Sequence, residues 1–423
     1  MTDAKQPKLA TESWSNKDPA GSNGPLRIAV FFDRLGPYHL ARLNAAVAAV
    51  DVHGIELNRR DADYAWDLVN EDDVRFRRYA LFESSDQIPA FGALLELVRA
   101  RLDEIAPAVV AVHGWSPRAA LAALCWCREN RVPAIVMSES SARDARRSGV
   151  AEWVKSRVVR QFSAALVGGR THRDYFQKLG ASQAQCFLGY DAIDNAYFAA
   201  GATSARANSE SMRLRYKLPT DYFLASSRFI EKKNLLRLLA AYGEYSQRMG
   251  SRRWNLVILG DGELRAEIET LIGRLGLADA VQLPGFRQYG ELPAYYGLAR
   301  AFVHASTVEQ WGLVVNEAMA SGLPILVSTT CGCAAELVCE GENGWAFDPY
   351  SGGDIVRTLL AAHRNSDRLA AMGAKSREII MDWGPERFAS GLLDASQAAL
   401  AAGSPPLRVG DLALLRVLGR AAK

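Results

Sequence analysis

Short apolar runs alternate with helical stretches along most of the chain. Examples are "LRIAVFF" (26–32), "AVVAVHG" (108–114), "YFLASSR" (222–228) and "NLVILGDG" (255–262), which are rich in apolar and β-branched residues. The segments between such runs carry apolar side chains at helical spacing. This alternation is typical of βαβ units, in which helices cover both faces of a parallel sheet. The sequence therefore predicts an α/β fold.

The alternation occurs in two successive series, separated by a polar stretch at 202–210. A chain of 423 residues is also too long for one ordinary hydrophobic core. We therefore expect two Rossmann-like, doubly wound parallel-sheet domains that face each other across a cleft, with ligands bound at the carboxyl ends of the strands. The expected segments are a disordered leader (1–24), an N-terminal domain (25–200), a linker (201–218), a C-terminal domain (219–392) and a helical tail (393–423).

Composition and charge exclude several classes of protein. The 50 Lys+Arg and 47 Asp+Glu residues give a net charge of +3, which does not indicate a nucleic-acid partner. No run of about 18 apolar residues is present, and the N-terminal stretch lacks the apolar segment of a secretion signal. The six cysteines form no C-x-x-C pair, which favours reduced thiols over a zinc site or disulfides. We therefore expect a cytoplasmic globular protein.

The stretch "EQWGLVVNEAMASGLP" (309–324) places two glutamates around a predicted helix start. Glu309 lies in the loop after the predicted strand "AFVHAS", and Glu317 lies inside the following helix. Backbone amides at Trp311, Gly312 and Leu313 would form a helix N-terminus, which suits an anion such as phosphate. Carboxylates suit the hydroxyls of a diol instead. A ligand with phosphate between two diols is a sugar nucleotide; two solvated surface acids are the alternative interpretation.

Two cations and a glycine turn accompany these acids. Arg228 and Lys233 follow the first predicted strand of the second series, where two cations can neutralise a diphosphate leaving group. A solvated basic turn is the alternative. Gly260 and Gly262, in "ILGDGELR", form a strand-to-helix turn, which is a weak signal by itself because many tight turns use glycine.

Four motifs then occur in a fixed order. They are R-x4-K at 228–233, G-D-G-x-L-R at 260–265, E-x7-E at 309–317, and "GLPILVST" followed by "CGCAAELV" and "GENGW". In this order they resemble the C-terminal domain of the family 4 glycosyltransferases (glycosyl transferases group 1), which have the GT-B fold. The resemblance covers roughly residues 220–392, whereas the first half resembles the family only in its rhythm of strands and helices.

The resemblance implies a retaining glycosyltransferase that uses a nucleotide-sugar donor and no metal ion or other cofactor. It implies that Arg228 and Lys233 contact the donor diphosphate and that Glu309 holds hydroxyls of the donor sugar. It also implies that Glu317 holds the ribose and that the backbone at Phe286 meets the nucleobase. Attack on the face that the diphosphate leaves would require no protein nucleophile.

The remaining donor-binding residues are backbone positions in the same implied site. The amides at Trp311, Gly312 and Leu313 are expected to meet the diphosphate, with Trp311 where the family usually has phenylalanine. The turn that contains Gly260 and Gly262 is expected to approach the donor as well.

The acceptor is expected to bind the N-terminal domain. Gly36, in "FDRLGPYHLARL", stands where the family often has paired glycines, and we expect its backbone to lie near the donor phosphate or the acceptor. His39 and His113 are candidate acceptor-side residues, with a structural role as the alternative for each. Glu139, in "IVMSESS", lies near a position where many relatives have a histidine. We expect it beside the donor sugar or the acceptor, unless the register differs by one residue.

The expected acceptor is a glycan or a lipid-linked intermediate of surface polysaccharide or glycoconjugate biosynthesis, by analogy of fold. Residues 143–160 contain six Lys/Arg and two acids, and 407–423 is basic and amphipathic. Either segment is a candidate for peripheral contact with anionic lipid at the inner face of the plasma membrane; a solvated helix and a packed tail are the alternatives. A GT-B-fold sugar-nucleotide epimerase and a non-catalytic sugar-nucleotide-binding protein remain alternatives to the transferase.

Overall fold

A computed structural model describes residues 24–60, 66–144 and 148–422 of the chain. Except for Gly24, the predicted leader lies outside the described residues. The described part contains two sheets in which all paired strands run parallel. The prediction of two Rossmann-like domains is therefore confirmed.

The first sheet has seven strands in the spatial order β3-β2-β1-β4-β5-β6-β7. In chain order the strands are β1 (Arg27–Phe32), β2 (Asp51–Arg60), β3 (Arg77–Ser84), β4 (Val109–His113), β5 (Ala134–Ser138), β6 (Ala164–Val167) and β7 (Cys186–Leu188). Its helices are α1 (Pro37–Ala46), α2 (Phe91–Ile105), α3 (Arg118–Asn130), α4 (Gly149–Val159) and α5 (Arg170–Leu179). One apolar cluster covers each face of this sheet, which explains why its strands are continuous apolar runs.

The second sheet has six strands in the order β10-β9-β8-β11-β12-β13. The chain continues through α6 (Asn195–Ala207), α7 (Ser209–Tyr216), β8 (Tyr222–Ser226), α8 (Leu235–Met249), β9 (Asn255–Leu259), α9 (Arg265–Arg274), β10 (Val281–Gly285) and α10 (Leu292–Leu298). It then forms β11 (Ala301–His304), α11 (Leu313–Ala320), β12 (Ile325–Ser328), α12 (Ala334–Leu337), β13 (Gly344–Phe347), α13 (Gly352–Arg364), α14 (Leu369–Met381), α15 (Pro385–Ala402) and α16 (Asp411–Ala421).

The strand order reverses once in each sheet. In the first sheet β1 lies beside β4, and in the second β8 lies beside β11. Loops that leave such a pair of strands diverge to opposite faces, which opens a crevice at their carboxyl ends. The loop after β8 carries the two cations singled out in the sequence, and the loop after β11 carries Glu309 and leads into α11, which carries Glu317.

The predicted linker is helical in the structure. Residues 201–218 lie mostly in α6 and α7, and α6 packs on α10. Phe198, Ala202 and Ala205 of α6 are buried, at the spacing of one helix face. The contact is close, because a Cβ at Gly201 would lie 2.5 Å from Pro293. Small polar residues hid this helical spacing in the sequence.

The C-terminal helices return to the first domain. The predicted boundary at 392/393 falls inside α15, whose Phe388, Leu392 and Ala395 join the apolar cluster of the first sheet. Helix α16 packs on α3, with Leu415 buried in the cluster on the other face. The predicted helical tail thus packs on the N-terminal domain, and α15 connects the two domains.

No helix within the described residues combines the length and apolar character needed to cross a membrane.

Candidate active site

A cavity of about 640 Å³ lies between the domains at the carboxyl ends of β8 and β11. Tyr38 and Trp66 of the first domain contribute to its wall. Most residues predicted to form the site line this cavity, namely Arg228, Lys233, Gly260, Gly262, Phe286, Glu309, Gly312, Leu313, Glu317 and, from the first domain, Glu139. The fold thus brings together loops that are far apart in sequence.

Glu309 is held by three donors on one carboxylate oxygen. Its Oε2 accepts hydrogen bonds from Lys233 Nζ, from His304 Nε2 at 2.8 Å and from Ser306 Oγ at 3.1 Å. Burial raises the pKa of Glu309, but the hydrogen bonds and charges of His304 and Lys233 outweigh it and hold that pKa well below its usual range. Glu309 is therefore a fixed anion in the cavity wall.

The loop that carries Lys233 is tied to the loop that carries Glu309. The backbone amide of Thr307 donates to the carbonyl of Lys232 at 2.9 Å. Asn234 Nδ2 donates to the carbonyls of Ala305 and Pro349, at 3.0 and 2.8 Å. These bonds fix the cation and the acid relative to each other.

Arg228 lies at the cavity on a loop that packs against the glycine turn. A Cβ at Gly260 would lie 1.9 Å from the carbonyl oxygen of Ser227, and one at Gly262 would lie 2.7 Å from that of Phe229. Both glycines also have positive φ, at 121° and 154°. The turn therefore requires glycine to let the two loops meet, whether or not its backbone also meets a ligand.

Glu317 sits deeper and has the opposite electrostatics. It is buried in α11, and its carboxylate accepts hydrogen bonds from Tyr38 Oη and, at 2.6 Å, from Tyr296 Oη. Burial raises the pKa of Glu317 to about 7, although the two tyrosine hydroxyls partly counter that rise. Because Tyr38 belongs to the first domain, this cluster also joins the domains across the cavity.

The start of α11 lies at the cavity, where Gly312, Leu313 and Val314 form part of the wall. Gly312 has φ of 103°, and a Cβ there would lie 2.9 Å from Cys331 Sγ. Trp311 lies beneath the cavity: its ring is fully buried against Trp383 and its Nε1 donates to Asn316 Oδ1. Its side chain therefore supports the loop, and Gly312 and Leu313 lie at the surface of the cavity.

An aromatic group marks one end of the cavity. Phe286 is 38% exposed, and its ring lies edge-on to Trp66, with centroids 5.1 Å apart. Trp66 also contacts the rings of Tyr38 and Tyr289. Sequence reasoning identified Phe286 but missed Trp66, which no motif marks.

Three first-domain candidates do not line the cavity. Gly36 precedes α1, and its amide donates to His39 Nδ1 at 3.1 Å, so His39 caps the helix start. Burial, together with Arg42, holds the pKa of His39 well below its usual value. His113 Nδ1 lies 3.2 Å from the carbonyl of Phe31, and Nε2 lies 2.9 Å from Asp33. Both histidines therefore have partners within the first domain, outside the residues that line the cavity.

The site also contains residues that sequence reasoning missed. They are His304, Ser306, Tyr296 and Tyr38, which hold the two glutamates. His304 and Ser306 had a usable signal, because they follow the apolar core of β11 at its carboxyl end, where side chains reach the crevice. The tyrosines had none: Tyr38 lies 279 positions from Glu317, and Tyr296 lies on a different helix, 21 positions from it, with no motif that links the two.

Comparison with known proteins finds one family model that matches part of the second domain, and relatives that match about half of the chain. Residues 210–379 match the model of the family described as "Glycosyl transferases group 1". Alpha-D-kanosaminyltransferase of Streptomyces kanamyceticus is 29% identical over 231 residues, which are 53% of this chain and 58% of that protein. The GDP-mannose-dependent alpha-(1-6)-phosphatidylinositol monomannoside mannosyltransferase of Mycobacterium tuberculosis is 30% identical over 194 residues, or 43% of this chain and 49% of that protein. The chain thus spans about half the length of these curated relatives.

Solved structures match almost the whole chain in fold. HepE of Anabaena, crystallised with UDP, has a TM-score of 0.68 at 16% identity, covering 87% of this chain and 98% of that one. A glycosyltransferase from Rickettsia africae has a TM-score of 0.70 at 12% identity, covering 89% and 99%. At these identities the likeness shows the fold, which is the GT-B arrangement of two facing Rossmann-like domains.

Proposed function

We propose, since residues 210–379 match the model of the glycosyl transferases group 1 family, that the chain is a retaining glycosyltransferase. It takes a sugar from a nucleotide-diphosphate sugar and transfers it to a glycan or a lipid-linked acceptor in the synthesis of surface polysaccharide or another glycoconjugate. The donor occupies the cavity between the domains, and the acceptor approaches from the first domain. The enzyme works in the cytoplasm, and its reaction requires no metal ion or other cofactor.

One observation carries this proposal. One cavity contains two cations, the start of α11 and two acids in its wall. The lowered pKa of Glu309 keeps that acid ionised, whereas the raised pKa of Glu317 favours its neutral form. Arg228, Lys233 and the amides of α11 suit a diphosphate. Glu309 suits sugar hydroxyls, and Glu317 suits the ribose diol, at the cost of replacing its tyrosine partners.

The bond that breaks joins the anomeric carbon to the diphosphate oxygen. Arg228 and Lys233 stabilise the negative charge that develops on that oxygen. Glu309 fixes the sugar so that its anomeric carbon faces the acceptor. The acceptor hydroxyl attacks on the face that the diphosphate leaves, and the configuration at this carbon is retained.

Binding of activated sugars is the direct test. We expect a UDP-, GDP- or ADP-sugar to raise the melting temperature by several degrees, since a ligand that binds only the folded state stabilises it. Among UDP-glucose, GDP-mannose and ADP-glucose, the sugar with the largest rise is then incubated with the enzyme, and released nucleoside diphosphate is measured. A binding protein would show the rise without release, and an epimerase would convert the sugar without release.

The variant Glu317→Gln provides a site-specific control through pH. An ionised Glu317 accepts both ribose hydroxyls, so the affinity of the wild type is expected to increase as pH rises through about 7. Glu317→Gln should bind the same sugar more weakly and should lose this pH dependence. Equal affinity and equal pH dependence in both proteins would exclude the ribose role of Glu317.

We also propose peripheral contact with anionic lipid through the exposed face of α4 and the loop before α16. Trp153 is 59% exposed and Val409 is fully exposed. Arg157 joins the two segments through a 2.7 Å salt bridge to Asp411. Apolar side chains surrounded by Lys and Arg suit a negatively charged membrane surface.

Vesicle sedimentation tests this contact. The wild type is expected to sediment with phosphatidylglycerol vesicles and not with phosphatidylcholine vesicles, and Trp153→Ser should reduce the bound fraction severalfold. Leu214→Ser is a matched control, since Leu214 is also exposed, on α7 of the other domain. The contact is excluded if the wild type stays in solution with both vesicles.

A further inference from the structure

Two acids of the first domain, Glu139 and Asp191, lie next to each other beside the cavity. Glu139 follows β5 directly, and Asp191 lies three residues after β7, so the loops on either side of β6 bring them together at the carboxyl edge of the sheet. Their carboxyl groups lie within reach of a hydrogen bond, which forms once one of them carries a proton. Gly168, after β6, makes room for the pair, because a Cβ there would lie 2.3 Å from Asp191 Oδ2.

This pair must hold a proton. Asp191 is only 2% exposed, and its Oδ2 has no hydrogen-bond donor among the described residues when both acids are ionised. Arg42 NH2 lies 4.0 Å from the other oxygen, too far for a direct hydrogen bond. Burial, together with the charge of Glu139, raises the pKa of Asp191 well above its usual value. A protonated Asp191 donates to the carboxylate of Glu139 and satisfies the orphan oxygen.

The two acids differ in their access to the cavity. Glu139 lines the cavity together with Glu309, whereas Asp191 lies behind it and does not. Glu139 also belongs to the domain from which the acceptor approaches. Only Glu139 can therefore touch a substrate, and Asp191 acts through it.

We propose that the carboxylate of Glu139 takes the proton of the acceptor hydroxyl, and that Asp191 is the positioning residue that holds this carboxylate in place. The inference rests on the proposed transferase function. As the acceptor oxygen forms its bond to the anomeric carbon, its proton moves to Glu139. The bond between that carbon and the diphosphate breaks, and its electron pair leaves with the diphosphate.

The charges around Glu139 set the direction of the pH dependence. Burial raises its pKa, and Glu309 across the cavity and Asp144 after β5 add to that rise. Arg42 of α1 and the hydrogen bond from Asp191 oppose it, and the net pKa lies above the usual glutamate value. Since the base must be ionised, the transfer rate should increase as pH rises through this pKa.

Azide distinguishes a base from a residue that binds the donor, because azide attacks without losing a proton. The activated sugar with the largest melting-temperature rise is incubated with water alone as acceptor, or with sodium azide. In Glu139→Gln we expect hydrolysis to fall about a hundredfold, while formation of the glycosyl azide, measured by mass spectrometry, stays within about threefold of the wild type. The hydrolysis rate of the wild type is expected to fall at low pH, a fall that we call the acid limb, and Glu139→Gln should not show it.

Asp191 variants test the positioning role. In Asp191→Ala the Glu139 carboxylate loses a donor that lowers its pKa, so the acid limb of hydrolysis should move to higher pH. Asp191→Asn, whose amide can still donate, should restore most of the rate that Asp191→Ala loses. A residue that only supports the fold would lower the rate without moving the limb.

The water and azide reactions together decide whether Glu139 is a base or a residue that binds the donor. Equal losses with water and azide in Glu139→Gln would make it a donor-binding residue and overturn this inference, and unchanged hydrolysis would overturn it too. In both cases binding of the nucleotide sugar by the wild type leaves the proposed function intact. A wild type that neither binds nor consumes any of the three sugars overturns both proposals.

Discussion

Replacing Lys233 with alanine is expected to lower kcat/KM by a factor between about 10² and 10³, the usual loss when one preorganised donor to a developing anion is removed. Lys233 acts twice in this site. Its ammonium neutralises the leaving diphosphate, and it donates to Glu309 Oε2, which fixes that acid against the donor sugar. The measurement is release of nucleoside diphosphate from the activated sugar that the melting-temperature screen selects.

Two variants separate charge from general damage. Lys233→Arg keeps the positive charge and is expected to recover part of the lost rate, although a planar guanidinium does not replace a point charge fully. Lys375→Ala removes another paired lysine, on α14 at the surface, and should leave kcat/KM unchanged. If the Lys233→Ala enzyme had the wild-type rate and an unchanged melting temperature, we would conclude that the diphosphate does not bind beside Lys233.

The fold was predictable where strands are continuous apolar runs. The runs 222–228, 255–262 and 301–306 correspond to β8, β9 and β11, but each run extends two or three residues past the strand. These extra residues leave the sheet to form the loops of the site. A pattern of apolar residues marks where a strand is buried, and it does not mark where the last ladder hydrogen bond lies.

The domain boundaries were harder to predict because they depend on long-range packing. Helix α15 carries an apolar face that suits either sheet, and its sequence does not specify which one. In the structure it covers the first sheet, far from its neighbours in sequence. The same limitation applies to Glu317, whose partner Tyr38 is 279 positions away.

The donor half of the site was more readable than the acceptor half. Cations, glycines and acids of the second domain follow strand ends at short spacings, so one topology rule brings them together. In the first domain, Gly36 and His39 form the cap of α1, and His113 contacts the carbonyl of Phe31 and the side chain of Asp33. The sequence did not mark Asp191, because only the fold brings it next to Glu139.

The second large effect is expected from Glu309→Gln, with kcat/KM reduced by about 10³. The carboxylate oxygen that accepts from Lys233, His304 and Ser306 becomes part of a neutral amide. The amide cannot hold all three donors equally well, and its NH2 group offers a donor where the sugar hydroxyls and Lys233 require an acceptor. Both the sugar and the lysine therefore lose their fixed positions. The rate is measured with the same activated sugar.

The pH dependence of unfolding provides a second, independent reading of the same variant. The lowered pKa of Glu309 means that its contribution to stability is present above the usual glutamate pKa and is lost as pH falls through the folded-state value. Glu309→Gln should therefore be less stable than the wild type at neutral pH, and the difference should shrink in acid.

Glu317→Gln is the matched control, because the sign of its pKa shift is opposite. The raised pKa of Glu317 makes its contribution present below the usual glutamate pKa and lost as pH rises through about 7. Above that pH the wild type holds a buried charge, so Glu317→Gln should gain stability relative to it. Denaturant unfolding measures the free energy of unfolding of both variants against pH. If this free energy changed with pH in the same way in Glu309→Gln and Glu317→Gln, the two glutamates would not have opposite pKa shifts.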